Sequence, residues 1–163
     1  MEYERIVQFI PNLRRYARAL VGDRHLADDL VQDTLERAVR KFHLWQPGDL
    51  RAWLFSIMHN VFVNQLRARK IVASQEVDES FAGATTPGWV TDVHDLERAL
   101  ARISAEQREV VLMVGLEDMS YEEVSRSLGI PIGTVMSRLS RGRERLRALM
   151  DGRAEPVRLK VVK

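Results

Sequence analysis

Five arginines and a single glutamate lie within residues 132–149, near the end of the chain. Arginine can bond two edge atoms of a guanine at once, while serine hydroxyls and apolar side chains can meet other base edges. Arginine also binds phosphate oxygens, which positions a protein on duplex DNA without reading its sequence. These residue types predict DNA contact by the following side chains: Thr134, Met136, Ser137, Arg138, Ser140, Arg141, Arg143 and Arg145.

The surrounding residues predict the element that positions those side chains, a helix-turn-helix. Ser120 and Glu123 have the spacing of a capping box at the start of a helix. Gly129 suits a left-handed helix end, and Pro131 stops the first helix and helps to open the second. In such motifs the first turns of the second helix reach base edges in the major groove. The side chains in those turns are Met136, Ser137, Ser140 and Arg141.

The apolar side of the second helix fits the same motif. At 100° per residue, its apolar residues and one glycine fall within an arc roughly 100° wide. These residues are Val135, Leu139, Gly142, Leu146, Leu149 and Met150. The opposite side is basic, which predicts a DNA-facing surface, although a surface helix with a solvated basic face has the same pattern.

A second candidate surface lies near the start of the chain. Asp23 is expected to cap a helix that runs from Arg24 to Phe42. On a helical wheel, its acidic and amide side chains fall within an arc of roughly 140°, opposite the apolar residues. They are Asp28, Asp29, Gln32, Asp33 and Glu36. Because this face would repel phosphates, it is either solvated or bound by a basic protein partner.

Aromatic residues surround a Pro-Gly turn in residues 42–55, and a helix with polar and basic side chains follows. Unstacked bases need flat apolar faces to stack on, amides for their edges and cations for phosphate. Trp53 and Phe55 continue an apolar run and are predicted to belong to the core, whereas Trp45 lies beside the turn, where a surface role is equally open. The candidates on the following helix include Asn60, Asn64 and Arg67.

The composition limits the function classes. With 163 residues and 45% apolar content, the chain can form one or two small domains. It has no cysteine, which excludes disulfides and thiolate metal sites and fits a reducing cytoplasm. Neither a signal-peptide pattern nor a membrane-spanning apolar run occurs, so we expect a cytoplasmic protein without membrane insertion. The net charge is only +2, and no lysine or arginine lies between Lys70 and Arg98, which indicates separate surfaces for separate partners.

The periodicity of apolar residues is helical wherever it is clear, which predicts an all-α fold. Residues 1–71 and 93–150 are predicted to form two small helical domains, the second a four-helix unit. Residues 72–92 are acidic and turn-rich and predict a flexible linker, and residues 151–163 form a short basic tail. A flexible coil of about 20 residues spans roughly 25 Å, so the two domains could sit well apart.

No feature of the sequence predicts catalysis or a bound cofactor. The 4 histidines lack metal-ligand spacing. No glycine-rich phosphate loop follows a strand, and no serine-centred nucleophile motif occurs. We therefore expect a protein that binds macromolecules, with no catalytic residue, metal, cofactor or small-molecule substrate.

Taken in order, these features resemble the extracytoplasmic-function sigma factors of bacterial RNA polymerase. The segments that carry the resemblance are 26–38 in the acidic helix, 50–60 after the aromatic loop, and 120–124 with 133–138 in the helix-turn-helix. The resemblance spans roughly Phe9 to Leu149. It implies a factor that binds core polymerase and directs promoter-specific transcription initiation, with residues 1–71 as region 2 and 93–150 as region 4.

The resemblance also implies two protein partners. The acidic face of the first domain docks on the clamp helices of the largest polymerase subunit. The residues with that implied role are Asp28, Asp29, Gln32, Asp33 and Glu36. An anti-sigma factor that covers both domains is the second implied partner.

Promoter DNA is the remaining implied partner, and it is read at two places. The loop at residues 43–50 receives a flipped base of the minus-10 element, with Trp45, Gln46 and Asp49 as candidates. The helix that follows reads and holds the neighbouring strand through Asn60, Asn64 and Arg67. The second helix of the helix-turn-helix reads the minus-35 element as duplex.

Two positions depart from the family pattern. Many relatives carry a basic residue where this chain has Met136, and an aspartate is frequent where it has Asn64. Base preference at these contacts therefore stays open. In the linker, Glu76, Asp78 and Glu79 either mimic phosphates in a polymerase channel or are merely solvated.

Two other functions fit parts of the pattern. A helix-turn-helix transcription regulator would bind duplex DNA without polymerase. A sigma-like decoy would bind an anti-sigma factor and never DNA, although the intact basic helix argues against it.

Overall fold

The computed structural model describes residues 2–75 and 92–151, and all regular elements in these ranges are helices. In the first range they are α1 (Glu2–Val7), α2 (Ile10–Val21), α3 (Arg24–Arg40), a 3₁₀ turn (Phe42–Leu44) and α4 (Leu50–Gln75). In the second range they are α5 (Asp92–Arg102), α6 (Ala105–Gly115), α7 (Tyr121–Leu128) and α8 (Ile132–Asp151). The predicted all-α fold is confirmed.

The predicted linker and tail lie largely outside the described residues. Helix α4 continues to Gln75, past the predicted domain end at residue 71. It continues because residues 67–75 contain neither glycine nor proline, the two residues that most disfavour a helix. The acidic residues Glu76, Asp78 and Glu79, like the tail at residues 152–163, are outside the described ranges.

Helices α2, α3 and α4 pack together around the apolar side chains that the periodicity placed inside. Leu13, Leu30 and Phe55 are fully buried, as predicted for Phe55. The ring of Tyr16 meets that of Phe55 edge-on, with 4.9 Å between the centroids. The sequence predicted that α3 would end at Phe42. Instead α3 ends at Arg40, and Phe42 begins a 3₁₀ turn.

Local signals set three helix ends where the sequence predicts them: the start of α3 and both ends of α7. The Asp23 carboxylate caps α3 by accepting a hydrogen bond from the N–H of Leu26 at 3.0 Å. At the start of α7, Ser120 and Glu123 form both bonds of the capping box. Gly129 ends α7 in the left-handed conformation, with φ 68°. The predicted helix-turn-helix is therefore present in α7 and α8.

Helices α5 to α8 form the predicted four-helix unit, in which α8 packs closely against α6. Val135, Leu139 and Gly142 on α8 are buried. A Cβ atom at Gly142 would lie 2.8 Å from a methyl of Val111 and 3.3 Å from Cβ of Gln107, both on α6. Only glycine allows the two helix backbones to come this close without displacing a neighbour.

The two helical units are in contact, although the length of the predicted linker would allow them to sit well apart. Helix α7 packs along α4, and α2 packs against α5 and α6. Their buried apolar residues form one continuous cluster. A long linker permits separation but does not impose it, and the contact is held by polar pairs that no local pattern reveals.

Candidate nucleic-acid and polymerase interfaces

Helix α8 presents most of its predicted DNA contacts to solvent. Met136 is 50% exposed. Ser140, Arg141, Arg143 and Arg145 are also exposed. Beside them, α7 and α8 form a cavity of about 600 Å³ that is lined in part by Tyr121, Met136, Ser140 and Arg143. The exposed residues form a polar and basic surface with one apolar side chain, and all of these residue types can contact base edges in a major groove.

Three predicted contacts at the start of α8 are less accessible than expected. Thr134, Ser137 and Arg138 are half-buried. The Ser137 hydroxyl donates a long hydrogen bond, 3.4 Å, to the carbonyl oxygen of Thr134. Arg138 is paired with Glu106 of α6 at 3.6 Å. A helical wheel shows only the helix itself, so it could not place α6 beside Arg138.

One end of the predicted buried arc was also wrong. Leu146 and Leu149 are half-buried, but Met150 is 39% exposed. Met150 is the second-to-last residue of α8, which ends at Asp151. The helical wheel assumes that the same face stays buried along the whole helix. At the end of α8 that face is partly exposed to solvent.

The acidic face of α3 is open along its length. Its exposed residues, called the acidic surface below, are Asp28, Asp29, Gln32, Asp33 and Glu36. Asp33 accepts a hydrogen bond from the side-chain amide of Gln65 on α4 at 3.3 Å. This surface lies opposite the buried residues of α3, so a partner can bind it without disturbing the core.

The turn after α3 is held by an aromatic cluster. Trp45 lies 5.4 Å from Phe42 and 6.5 Å from Trp53, between ring centroids. The guanidinium of Arg5 in α1 stands over the Trp45 ring at 4.7 Å, in cation–π geometry. Tyr3 of α1 also approaches Phe42, at 6.5 Å. The sequence reading missed the contribution of α1, because contacts about 40 residues apart leave no local pattern.

The three predicted loop residues, Trp45, Gln46 and Asp49, line one cavity of about 300 Å³, called the loop cavity below. Its other lining residues are Leu44, Ala52, Trp53, Ser56 and Arg126. A flat ring, an amide and a carboxylate thus face the same small space. One lining residue, Arg126, comes from α7.

Asp49 has two structural partners that the sequence did not predict. Its Oδ1 accepts a hydrogen bond from the N–H of Ala52 at 3.0 Å, at the start of α4. Its Oδ2 accepts a long one, 3.4 Å, from Arg126. Both carboxylate oxygens are therefore engaged in this arrangement.

Asn60, Asn64 and Arg67 lie on one face of α4 and are exposed, as predicted. Arg67 also lines a larger cleft of about 610 Å³ between α4 and the helices α6 to α8. This cleft shares no lining residue with the loop cavity. The structure therefore does not join the polar helix face and the loop into one pocket.

Charged and polar pairs fasten the two helical units together. The ring Nδ1 of His59 on α4 lies 2.7 Å from Oε2 of Glu109 on α6. The guanidinium of Arg51 meets Glu123 on α7 at 2.8 Å. Burial raises the pKa of Glu109, and the hydrogen bond and charge of His59 oppose that rise. Burial also raises the pKa of Glu123. Interactions with Asp49, the Ser120 backbone and Arg51 outweigh this effect and lower that pKa to about 2.

A second group of bonds joins α2 to the other unit. Glu117 is almost fully buried, at 2% exposure. Its carboxylate accepts hydrogen bonds from Arg15 and Asn12, each at 3.1 Å. Arg108 donates to the carbonyl oxygen of Leu20 at 2.9 Å, and burial lowers the pKa of Arg108. None of these pairs was predicted, since the partners are separated by 88 to 105 residues.

Two further features bear on the function classes. In residues 2–75 and 92–151, no group of three or more histidine, cysteine, aspartate or glutamate side chains is placed to hold a metal ion. No helix in these ranges is both long and apolar enough to cross a membrane.

Comparison with known proteins decides the family. Residues 6–59 match the family described as Sigma2 domain of PhyR, and residues 94–146 match Sigma-70, region 4. The ECF RNA polymerase sigma factor EcfG of Rhodopseudomonas palustris is 37% identical over 150 residues, which are 89% of this chain and 82% of EcfG. The chain belongs to the ECF RNA polymerase sigma factors.

Other relatives of this sigma factor agree. SigE of Mycolicibacterium smegmatis, also an ECF RNA polymerase sigma factor, is 34% identical over 152 residues, covering 88% of this chain and 59% of SigE. The sigma factor RpoE from Bartonella quintana, solved with the anti-sigma factor NepR, matches with a TM-score of 0.80 and 35% identity over 91% of this chain and 96% of RpoE. CnrH, solved with the cytosolic domain of CnrY, shares the fold with a TM-score of 0.68, at 24% identity, over 92% of this chain and 87% of CnrH.

Membership confirms the resemblance noted in the sequence. As a sigma factor, the protein directs transcription initiation by RNA polymerase, and this function is favoured over a regulator that binds duplex DNA without polymerase. Sigma factors are non-catalytic transcription regulators, so its surfaces are to be understood as binding surfaces.

Proposed function

We propose that this sigma factor divides its work among three surfaces: the acidic surface for core polymerase, the loop cavity for the minus-10 element and α8 for the minus-35 element. Residues 1–71 would act as region 2 and residues 93–150 as region 4. The observation that carries the proposal is the convergence of Trp45, Gln46 and Asp49 on one cavity. The protein would act in the cytoplasm, where the polymerase works.

The acidic surface suits a basic helical partner, and the proposed partner is the clamp-helix pair of the largest polymerase subunit. Four carboxylates on one exposed helix face, Asp28, Asp29, Asp33 and Glu36, produce a negative potential that steers a basic surface toward it. The same potential keeps DNA phosphates away from α3. Polymerase and promoter would therefore occupy different sides of region 2.

The loop cavity suits one unstacked base of the minus-10 strand. Extruding a base costs a few kcal/mol, and stacking on an aromatic ring returns roughly 1–3 kcal/mol. Trp45 would supply the ring, while Gln46 and Asp49 would bond the base edge, the carboxylate accepting from an exocyclic amino group. Asn60, Asn64 and Arg67, on the exposed face of α4, would hold neighbouring nucleotides.

Helix α8 suits duplex DNA. Met136, Ser140 and Arg141 are exposed in its first half and would meet base edges. The remaining basic and polar contacts would hold phosphates or the groove wall: Thr134, Ser137, Arg138, Arg143 and Arg145. Arg138 would first have to leave Glu106.

An anti-sigma factor is the proposed regulatory partner. RpoE of Bartonella quintana was solved with the anti-sigma factor NepR, and it matches 91% of this chain at 35% identity. The likeness of fold and sequence supports a partner of the same class for this chain.

Run-off transcription tests the proposal. Core polymerase with this chain should initiate on a restricted set of sequences from a promoter library, and selection should fall on two short elements. Initiation no more selective than that of core polymerase by itself would refute the proposal.

A sigma-like decoy is the second candidate, because residues 6–59 match the Sigma2 domain of PhyR, and PhyR is described as an anti-anti-sigma factor. A decoy would bind an anti-sigma factor but give no selective transcription. The exposed arginines of α8 and the 37% identity to EcfG favour the sigma factor.

A further inference from the structure

We propose that Arg5 of α1 is a further contact for the minus-10 strand, and that its guanidinium binds a backbone phosphate of the nucleotide whose base stacks on Trp45. The proposal rests on the function proposed above for the loop cavity. It gives α1, which no sequence motif marked, a direct part in DNA binding.

Arg5 lies at the boundary between two cavities beside the loop. Its guanidinium stands over the ring of Trp45, which lines the loop cavity, at 4.7 Å from the ring centroid. Arg5 itself lines a neighbouring cavity of about 390 Å³. Asp49 lines both cavities, so they adjoin at the end of the loop. A nucleotide whose base occupies the loop cavity would therefore have Arg5 beside it.

Arg5 differs from the other arginines of these two cavities in what it binds. Arg126 is paired with Asp49 at 3.4 Å, and Arg51 is paired with Glu123 at 2.8 Å. Among the residues that the structure describes, the guanidinium of Arg5 instead contacts an aromatic ring. An exposed cation–π contact is weak, whereas hydrogen bonds between arginine and phosphate are strong and often bidentate. Arg5 is therefore the arginine of this set that a phosphate can bind with the smallest loss of existing contacts.

Helix α1 holds the backbone of Arg5 in place. The next residue, Ile6, is buried in the core at 2% exposure. Its carbonyl oxygen accepts a hydrogen bond from the N–H of Phe9 at 2.9 Å, just before α2. The ring of Tyr3 approaches that of Phe42, with 6.5 Å between the centroids. Arg5 itself is exposed, so its side chain can turn from the ring to a phosphate while the backbone stays where it is.

The chemistry of the pair suits single-stranded DNA. A tryptophan ring offers a flat face to a base, and a guanidinium offers parallel N–H donors to the oxygens of a phosphate. Base and phosphate are joined through one sugar, so a single nucleotide can contact both side chains at once. Because Arg5 also contacts the Trp45 ring, the two binding groups are held side by side.

Binding of a single strand tests the proposal. Holoenzyme made from core polymerase and the full chain is titrated with a single-stranded oligonucleotide that carries the minus-10 element selected by run-off transcription. Arg5→Ala should lower the affinity about fivefold or more, and the slope of log K against log salt concentration should become shallower by about 0.7, as for one phosphate contact on a single strand. Arg5→Lys should keep most of the affinity, because an ammonium group still binds phosphate as a point charge.

Arg24→Ala is the matched control. Arg24 is exposed at the start of α3, and the loop follows the opposite end of that helix, roughly 24 Å away at about 1.5 Å per residue. This variant should change neither the affinity nor the salt slope. Circular dichroism and a pull-down with core polymerase check that each variant folds and assembles.

A scan with neutral phosphates separates a phosphate contact from simple support of the ring. Each phosphate of the oligonucleotide is replaced in turn by an uncharged methylphosphonate. With the natural chain, one replacement beside the stacked base should lower the affinity about fivefold, and with Arg5→Ala the same replacement should have no further effect. If Arg5→Ala instead weakens every oligonucleotide of the scan by the same factor, Arg5 only positions Trp45 and the phosphate contact is overturned.

The outcomes also distinguish this proposal from the function on which it rests. If Trp45→Ala weakens binding and Arg5→Ala does not, the loop cavity keeps its proposed base and Arg5 loses its proposed role. If neither variant weakens binding, the loop cavity is not the minus-10 site.

Discussion

Helix α8 and the loop after α3 are both proposed to meet DNA, yet they obtain their shapes from different sources. The position of α8 follows from neighbours in sequence: the capping box at Ser120, the left-handed Gly129 and an apolar stripe. The loop cavity depends on residues far along the chain, with Arg5 over Trp45 and Arg126 against Asp49. A preformed helix can present contacts without help, whereas a base pocket built from a loop needs support from elsewhere.

Polymerase binding is the reference for this comparison, because the proposed acidic surface includes no residue of the loop or of α8. Replacement of Asp28, Asp29 and Asp33 by lysine should reduce association with core polymerase by more than about tenfold, since like charges brought together across an interface cost several kcal/mol. A pull-down with core polymerase measures the loss, and circular dichroism checks the fold. The control reverses Asp95, Glu97 and Glu122, which lie on the other unit and are exposed. Unchanged binding by the first variant would remove the acidic surface from the proposal.

Substitution of Trp45 tests whether the loop binds a base by stacking. Trp45→Ala should weaken holoenzyme binding to a single-stranded minus-10 oligonucleotide by about 1–3 kcal/mol, the usual contribution of one stacked base. Trp45→Phe should retain most of the affinity, because the phenyl ring still offers a flat face. If the two variants lose the same affinity, stacking on Trp45 is not the contact.

The local packing of α8 is tested at its closest contact. Gly142→Ala should lower the free energy of unfolding by about 1–3 kcal/mol, as overpacking does, because the new Cβ would meet Val111 at 2.8 Å. Gly133→Ala is the matched control on the same helix, with nothing within 4 Å of the new atom. It should be neutral or stabilising by up to about 1 kcal/mol. Denaturant unfolding measures both, and equal effects would mean that the α6–α8 contact relaxes freely.

Two arginine variants distinguish contacts of α8 that read base sequence from contacts that bind phosphate. Arg141→Ala should cost about 1–3 kcal/mol and relax base preference at one promoter position. Arg145→Ala should weaken binding to all sequences alike. It should also reduce the slope of log K against log salt concentration by about 1. Binding to a minus-35 duplex library at several salt concentrations distinguishes them. A uniform loss for Arg141→Ala would make it a phosphate contact.

The smallest expected effect is a pH dependence at Glu123. Its pKa in the folded chain, about 2, lies below the value of about 4.3 expected for an unfolded glutamate. The stabilisation it gives is therefore complete above about pH 4.3 and is lost as the pH falls toward 2. Between pH 7 and 2, the free energy of unfolding should decrease less steeply for Glu123→Gln than for the natural chain. Parallel curves would show that Glu123 does not contribute in this way.

The sequence predicted most of what local interactions decide. The caps at Asp23 and Ser120, the turn at Gly129 and the exposed basic side of α8 all depend on residues within a few positions of one another. Family membership was predicted because three short motifs occur in the right order.

What the sequence could not predict depends on contacts between the two units. Glu109 and Glu117 flank an apolar stretch, and a periodicity argument has no means of placing a carboxylate inside. Both are buried because His59 and Arg15 approach from the other unit. The half-burial of Arg138 and the presence of Arg126 in the loop cavity have the same origin.

The absence of a side chain at position 142 has a mechanical consequence. Because α8 packs against Val111 and Gln107 of α6 with no side chain between them at Gly142, we expect the two helices to move together. Helix α6 bears Glu109, and the turn that follows it bears Glu117, the two anchors to region 2. A change at either anchor is therefore expected to displace α6 and α8 together, as one packed pair.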